Sequence, residues 1–328
     1  MKSDFLRISQ CPTCASRLEL RAETTSGAEV TVGALVCANG HSFPIVGGVP
    51  RFVSSEQYAG NFGFEWNLHR FTQLDTDTEH ESEEAFRLKT GFTPADLAGK
   101  LVLDVGCGMG RFSEVASRWG ATVVGIDLSR AVDAAFQNIG VRENVHIAQA
   151  DIFHLPFNGP TFDYIFSLGV LHHTPSTKDA FDQLPQLLRP GGRIAIWVYS
   201  GHNVVSYRAS DVLRKVTTRM PKRVLYAFAH VAVPIHYLRR VPGLRVVPNV
   251  LVPMSGHPKA EWRILDTFDW YSPRYQWKHT YQEVFRWFED QDLVNVRVLD
   301  FPVSMQGQRA DGDQKAASSP SPKISRRA

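Results

Sequence analysis

Through the middle of the chain, short apolar runs alternate with segments of helical periodicity. The runs are Val102-Leu103-Asp104-Val105, Val123-Val124-Gly125-Ile126-Asp127, Val145 to Ala150, Tyr164-Ile165-Phe166-Ser167 and Arg193 to Tyr199. Their length, β-branched content and flanking Gly or Asp mark them as buried strands. After the first run, Phe112, Val115, Ala116 and Trp119 recur at helical spacing. Leu188-Arg189-Pro190-Gly191-Gly192 reads as a helix end, with glycine past the last turn, leading into the fifth strand. Strands alternating with helices predict an α/β fold on a mostly parallel sheet.

The first strand breaks directly into Gly106-Cys107-Gly108-Met109-Gly110, a tight loop before its helix. Glycine suits a sharp turn that lets a ligand approach bare backbone. A dinucleotide site spaces its glycines G-x-G-x-x-G and offers helix-start N–H groups to a diphosphate. Here the spacing is G-x-G-x-G, and Asp104 stands two residues before the first glycine. A carboxylate at that point repels a diphosphate and suits a cofactor carrying an ammonium and a sulfonium, which is S-adenosylmethionine (SAM). Asp127 and Asp151 close the next two strands. Asp127 follows the loop at about the 20-residue interval of a ribose-binding acid, and carboxyl strand ends are the ligand edge of an open α/β sheet.

These motifs, over roughly residues 99–199, resemble the class I SAM-dependent methyltransferases, and most closely the branch with the ubiquinone/menaquinone and type 11 enzymes. The resemblance implies a Rossmann-like sheet whose last strand, Val303 to Gln308, is antiparallel. It implies that Gly106, Gly108 and Gly110 pass under the methionine part of SAM, with Asp104 near its amino group. Asp127 would hold the ribose hydroxyls, with Leu128 beside it, and Asp151 with Ile152 the adenine. Ser167 and Leu168 would lie by the methionyl end.

Three of the four cysteines lie early, as Cys11-Pro12-Thr13-Cys14 and Cys37-Ala38-Asn39-Gly40-His41. A C-x-x-C knuckle and a C-x-x-x-H knuckle supply four ligands to tetrahedral zinc. Residues 1–53 are too few to build a core alone, so a metal would supply folding energy. With four protein ligands such a zinc has no open position, so the module reads as structural or substrate-guiding. It resembles the zinc ribbon of large-subunit rRNA guanine methyltransferases. Its Ser42-to-Pro50 ending resembles the small zinc-binding activator subunit of tRNA, rRNA and protein methyltransferases. The alternative is a ribbon that folds without metal.

Residues 54–98 join ribbon to core (99–200). The aromatics Tyr58, Phe62, Phe64, Trp66 and Phe71 suggest either a SAM lid over Phe64–Asp75 or a dock for the ribbon. Glu79 to Lys89 is expected to be a solvated helix. Residues 201–261 form a basic amphipathic helical insertion: Arg208, Arg214, Lys215, Arg219, Lys222, Arg223, Arg239, Arg240 and Arg245 lie among Val, Leu and Phe, with Asp211 the one acid of 201–250. Its uses are an anionic membrane surface or amphiphilic substrate, RNA phosphates, or a plain cap on the active site. The apolar content and lack of stacking aromatics favour the amphiphile. Residues 262–308 carry a dense aromatic stretch suited to a small-molecule pocket, with Trp262, Phe268 and Trp287 assigned to the core. Residues 309–328, rich in Ala, Ser, Pro and Lys, are expected to be disordered.

Composition adds limits. The 328 residues are 43% hydrophobic, enough for a full core, and the formal net charge of +3 does not demand a nucleic-acid partner. No run approaches the roughly 18 apolar residues of a membrane span, and no signal region leads the chain. Cysteines without a disulfide pattern point to a cytoplasmic protein. Methyl transfer needs a general base only where the nucleophile must lose a proton, and the candidates are His172, His173, Tyr271 and His279. The reading is a SAM-dependent methyltransferase acting on a small or amphiphilic molecule. An RNA methyltransferase and a SAM-binding adaptor without turnover are the alternatives.

Overall fold

The computed structural model describes residues 1–201, 204–238 and 254–311, and for 204–209 and 238 the backbone alone. Arg239, Arg240, Arg245, the side chain of Arg208 and the tail 312–328 lie outside the described residues.

Two sheets organise the chain. The first is a four-stranded antiparallel meander, β1 (Leu18–Ser26), β2 (Glu29–Cys37), β3 (Ser42–Val46) and β4 (Val49–Pro50). The second has seven strands: β5 (Leu101–Val105), β6 (Thr122–Asp127), β7 (Val145–Gln149), β8 (Phe162–Leu168), β9 (Leu188–Trp197), β10 (Leu293–Val298) and β11 (Ser304–Arg309), in the order β10-β11-β9-β8-β5-β6-β7. Strands β5 to β9 pair in parallel, and β11 enters antiparallel between β9 and β10. This is the Rossmann-like sheet with an antiparallel Val303–Gln308 strand that the resemblance implies. β9 starts at Leu188, earlier than the glycine pair suggested, because Pro185–Leu187 already makes the short helical turn that ends the preceding segment. Arg309, expected in the tail, is the last residue of β11.

Both faces of the parallel strands are covered, so Val102, Leu103, Val123 and Val124 are fully buried. Helix α4 (Arg111–Arg118) covers one face through Val115 and Ala116. Helices α1 (Gly60–Leu68), α2 (Glu81–Thr90), α3 (Pro94–Leu97), α5 (Ala131–Ala135) and α6 (Thr177–Asp182) surround the sheet. Helices α7 (Val204–Thr217), α8 (Lys222–Ala229) and α9 (Ala232–Leu238) pack against α10 (Ala260–Tyr271), while α11 (Tyr281–Asp290) precedes β10. No helix among the described residues is long and apolar enough to cross a membrane.

The amino-terminal module shares its core with the large sheet instead of standing alone. Phe5, Leu18, Leu35, Ile45 and Phe52 belong to one buried cluster with Ala148, Ala150 and Phe157. Arg51 pairs in parallel with Gln149 on β7, and Phe52 N–H donates to Gln149 O at 2.8 Å. The module thus covers the edge strand β7, which would otherwise present unpaired backbone groups.

The bridge aromatics do not dock this module. Phe64 packs on Phe268 and Tyr226, and Phe71 is exposed. Helix α2 is not wholly solvated either: Ser82, Phe86 and Lys89, at spacing i, i+4, i+7, are buried against the sheet side. Arg214 is no surface cation, since its guanidinium donates to Trp270 O at 2.8 Å and Pro273 O at 2.7 Å.

Phe157 tests the shared core. It is 2% exposed, and its ring meets Phe162 edge-on at 5.1 Å and Phe5 at 6.5 Å. Phe157→Ala is expected to cost about 3–4 kcal/mol in urea unfolding. A loss under about 1 kcal/mol would show that module and sheet do not share a core.

Candidate active site

Strand order reverses at β5: β6 and β7 lie to one side, β8 and β9 to the other. At the carboxyl ends of these strands, under α1 and α10, lies a cavity of about 920 Å³. Its floor at one end is the glycine loop. Gly106 and Gly108 have φ of 81° and 54°, the left-handed region that favours glycine. A side chain on Gly106 would strike Val170 at 2.3 Å, and a Cβ on Gly108 would sit 3.4 Å from Trp66 Nε1. α1 therefore crosses the loop at contact distance, and its Phe62 and Trp66 form cavity wall with Tyr58 just before it.

Asp127 closes β6 in the same wall. Its carboxylate accepts Gly108 N–H at 3.0 Å, Ser129 N–H at 2.8 Å and the Ser129 hydroxyl at 2.7 Å. Burial raises its pKa against the lowering effect of these donors. The opposite wall is mixed. Trp197, Trp262, Trp270 and Phe301 supply apolar surface, and Lys89, Arg111, Asp266 and Asp269 supply charge. Asp269 accepts the Tyr199 hydroxyl at 3.2 Å, and burial, with Asp266 near, pushes its carboxyl up to about 7. Behind it Glu65 is fully buried with neither carboxylate oxygen partnered among the described residues, and burial raises it well above its ordinary value.

Two histidines follow β8. His173 lines the cavity beside Phe62, with ring centroids 5.2 Å apart. Its Nδ1 lies 2.9 Å from Tyr275 O, which only an N–H can satisfy, so Nε2 keeps the lone pair and has no partner among the described residues. Burial lowers its pKa to about 4, so the ring is neutral at physiological pH. His172 is fully buried, its ring tilted between those of Tyr199 at 3.9 Å and His173 at 4.1 Å.

A methyltransferase-domain family matches residues 103–196. The chain is 38% identical over 104 residues to the methyltransferase GfsG of Streptomyces halstedii, covering 30% of this chain and 37% of that one. It is 30% identical over 165 residues to the ubiquinone biosynthesis O-methyltransferase of Dechloromonas aromatica, covering 49% of this chain and 71% of that one. The chain belongs to the class I SAM-dependent methyltransferases. The magnesium protoporphyrin IX methyltransferase of Synechocystis PCC 6803 aligns over 78% of this chain and 98% of its own, at 17% identity and a TM-score of 0.45. Several of the curated relatives are matched over only about a third to under half of their length.

In this methyltransferase, Gly106, Gly108, Asp127, Leu128, Ile152 and Leu168 meet in the cavity wall. Gly110 sits behind it, closing the loop through its N–H to Cys107 O at 2.8 Å. Asp151 is buried, accepting Phe153 N–H at 3.0 Å, and Ser167 donates to Val105 O at 2.9 Å. Asp104 departs from expectation. Its side chain projects from within β5, 2% exposed, and accepts the Ser113 hydroxyl of α4 at 2.6 Å instead of reaching the wall. Tyr271 and His279 are also corrected. Tyr271 faces the opposite side of α10, packed with Leu225, Ala229 and Phe268. His279 is held by Thr177 at 2.9 Å and Glu283 at 3.0 Å, away from the wall. Trp262, assigned to the core, is buried and lines the cavity, whereas Phe268 and Trp287 are core. Nothing in the sequence pattern marks Arg111 or Glu65, and for Lys89 the signal is the 82–86–89 spacing on α2.

In the amino-terminal module, the ligand atoms of Cys11, Cys14, Cys37 and His41 all lie within 4.8 Å of one another. Cys14 and Cys37 Sγ are 3.7 Å apart, and His41 Nδ1 is 3.3 Å from Cys37 Sγ. Tetrahedral bonds of about 2.3 Å place two sulfurs about 3.8 Å apart, so the set fits zinc.

Asp104 gives a pH test. Burial raises its carboxyl from the ordinary 3.8 to about 7. The folded protein therefore holds a proton that the unfolded chain releases, and stability falls as pH rises between these values. Asp104→Asn, uncharged and still able to accept from Ser113, is expected to remove that fall, a gain of up to about 4 kcal/mol at pH 8. Urea unfolding of both proteins at pH 5 and 8 measures it. Equal slopes would refute the assignment.

Proposed function

We propose that the protein transfers the methyl group of SAM to a small-molecule or amphiphilic acceptor. The observation that carries this reading is a single cavity with two unlike ends. One end holds the glycine loop and the Asp127 carboxylate; the other has aromatic walls, buried charges and the neutral His173. Asp127 and Leu128 are the residues for the ribose, Ile152 with Asp151 for the adenine, and Gly106 and Gly108 for the methionyl chain. SAM supplies an electrophilic methyl group on its sulfonium. The chain supplies alignment and desolvation: α1 covers the loop, and the Trp197, Trp262 and Trp270 side chains exclude water from the acceptor. His173, fixed in one tautomer by Tyr275 O, accepts the proton of a hydroxyl or phenol acceptor at Nε2 once a side-chain shift opens that buried atom to the cavity. His172, enclosed by rings, keeps His173 in place.

The helical insertion supports an amphiphilic acceptor. Val212, Val216, Val224 and Val231 are exposed there, along with Lys215, Arg219, Lys222 and Arg223. Apolar side chains beside cations suit a peripheral contact with an anionic lipid surface.

Label from methyl-tritiated SAM, followed into lipid, small-molecule, RNA and protein fractions of cell extract, tests the proposal. Label is expected in the lipid or small-molecule fraction. Label in RNA would overturn the acceptor class, and SAM binding with no transfer to any fraction would favour an adaptor. With the acceptor in hand, His173→Gln is expected to lower kcat about 10²–10⁴-fold with S-adenosylhomocysteine (SAH) affinity kept. A fall under about threefold would remove His173 from the reaction.

We also infer that Cys11, Cys14, Cys37 and His41 hold a structural zinc, which ties Cys11 and Cys37 of the shared core to the knuckles. Metal analysis of purified protein is expected to find one zinc per chain, lost together with thermal stability in Cys14→Ser. Protein purified without chelators and free of zinc would overturn this.

A further inference from the structure

Helix α1 covers the glycine loop with Phe62 and Trp66, four residues apart on one face. A neighbouring face packs on α10. There Asn61 Nδ2 donates to Ser272 O, at the carboxyl end of α10, at 2.9 Å, and Phe64 meets the Phe268 ring at 6.0 Å. Glu65 lies one turn after Asn61 on α1, and Asp269 one turn before Ser272 on α10. Glu65 is 0% exposed, and neither of its carboxylate oxygens has a hydrogen-bond partner among the described residues.

The charges that act on Glu65 are acids of α10, Asp269 and then Asp266. The cations nearby act on those acids: Arg214 on Asp269, and His257, Arg111 and Lys89 on Asp266. The remaining titratable groups are neutral at physiological pH. They are the Tyr199 hydroxyl, which donates to Asp269, the Tyr226 hydroxyl of α8, and His69, whose Nε2 lies 2.9 Å from Tyr226 and whose pKa burial lowers. A carboxylate without water or a partner is strongly disfavoured, so a closed α1 holds Glu65 as the neutral acid. Lifting α1 returns it to water, where it ionises at its ordinary value.

We propose that Glu65 is a proton-controlled latch: α1 closes over the cavity with Glu65 protonated against Asp269, and loss of that proton releases the helix. The inference rests on the reading of this cavity as a methyl-transfer site and adds a regulation of it. Burial, then the α10 acids, raise the Glu65 carboxyl well above its ordinary value, so closure takes up a proton. Closure therefore weakens as pH rises, by up to about tenfold per pH unit for one proton. Asp269, raised to about 7, adds to the loss above neutrality, when its charge faces Glu65. His69 has the opposite sign, since its lowered pKa loosens α1 in acid. The other side-chain ties of α1, from Asn61 and from Asn67 Nδ2 to Arg130 O at 2.8 Å, are amides and do not titrate.

The test uses the full chain as wild type, Glu65→Gln and Asp269→Asn at pH 7 and 9, where His69 is neutral, with thermal melts confirming that each is folded. Hydrogen–deuterium exchange over residues 60–68, corrected for the intrinsic rate at each pH, follows α1 directly. Calorimetry measures SAH and 5′-methylthioadenosine, the latter with no group titrating in this range. From pH 7 to 9, wild-type exchange is expected to quicken, and 5′-methylthioadenosine affinity to fall, each by at least about tenfold. In Glu65→Gln, which keeps the shape of the neutral acid and cannot ionise, both changes shrink below about twofold. Asp269→Asn, which removes the facing charge, reduces both. Wild-type values that stay within about twofold, or changes in either variant as large as those of wild type, overturn the latch. Binding of neither SAH nor 5′-methylthioadenosine at either pH overturns the methyl-transfer reading instead, and exchange over 60–68 still decides the latch.

Discussion

The reversal of strand order at β5 is the constraint on which the rest of the site depends. Parallel strands that leave β5 in opposite directions have connections that part above their carboxyl ends, and the chain cannot fill the crevice with its own backbone. The glycine loop crosses the floor of that crevice. Asp127 pins it from the neighbouring strand through the Gly108 N–H. One hydrogen bond thus couples the second strand's terminal acid to the first strand's loop, so this wall of the cavity is set by one pair of strands.

The amino-terminal module does a different job at the opposite margin. β7 is the last parallel strand, and it would be an open edge without Arg51 and Phe52 alongside it. Phe5, Phe52 and Phe157 then extend the sheet's apolar core into the module. A segment of this size cannot enclose a core alone, and it avoids the difficulty by borrowing one. Cys11 and Cys37 of the cysteine–histidine set lie within that borrowed core.

Between these margins the cavity contains several ionisable groups held away from water. Desolvation sets their protonation more than any partner does. It lowers Lys89 and His173 and raises Asp269 and Glu65, in each case towards the neutral form. A wall whose groups are poised near neutrality responds strongly to the charge of whatever enters, because little water remains to screen it.

The sequence alone determined the α/β class, the order of strands and loops, and the glycine-loop end of the cavity. Strand periodicity, the glycine spacing and the acids at strand ends are local patterns, and the parallel fold converts them into positions by fixed connection rules. The Cys and His knuckles were legible for the same reason, since their spacing is itself the geometry. The opposite, aromatic wall of the cavity was not legible in this way. Lys89 belongs to a helix that reads as charged, and only the packing of α2 against Trp197 and Phe301 turns it inward. Tyr271 and His279 sit in a stretch rich in candidates, but the rotation of α10 and the hold of Thr177 and Glu283 direct them elsewhere. Asp104 lies at the expected place in sequence, yet the pleat of β5 puts it beneath the loop, against Ser113. Which face of an element meets the cavity depends on contacts between residues far apart in the chain, and those only the tertiary structure decided.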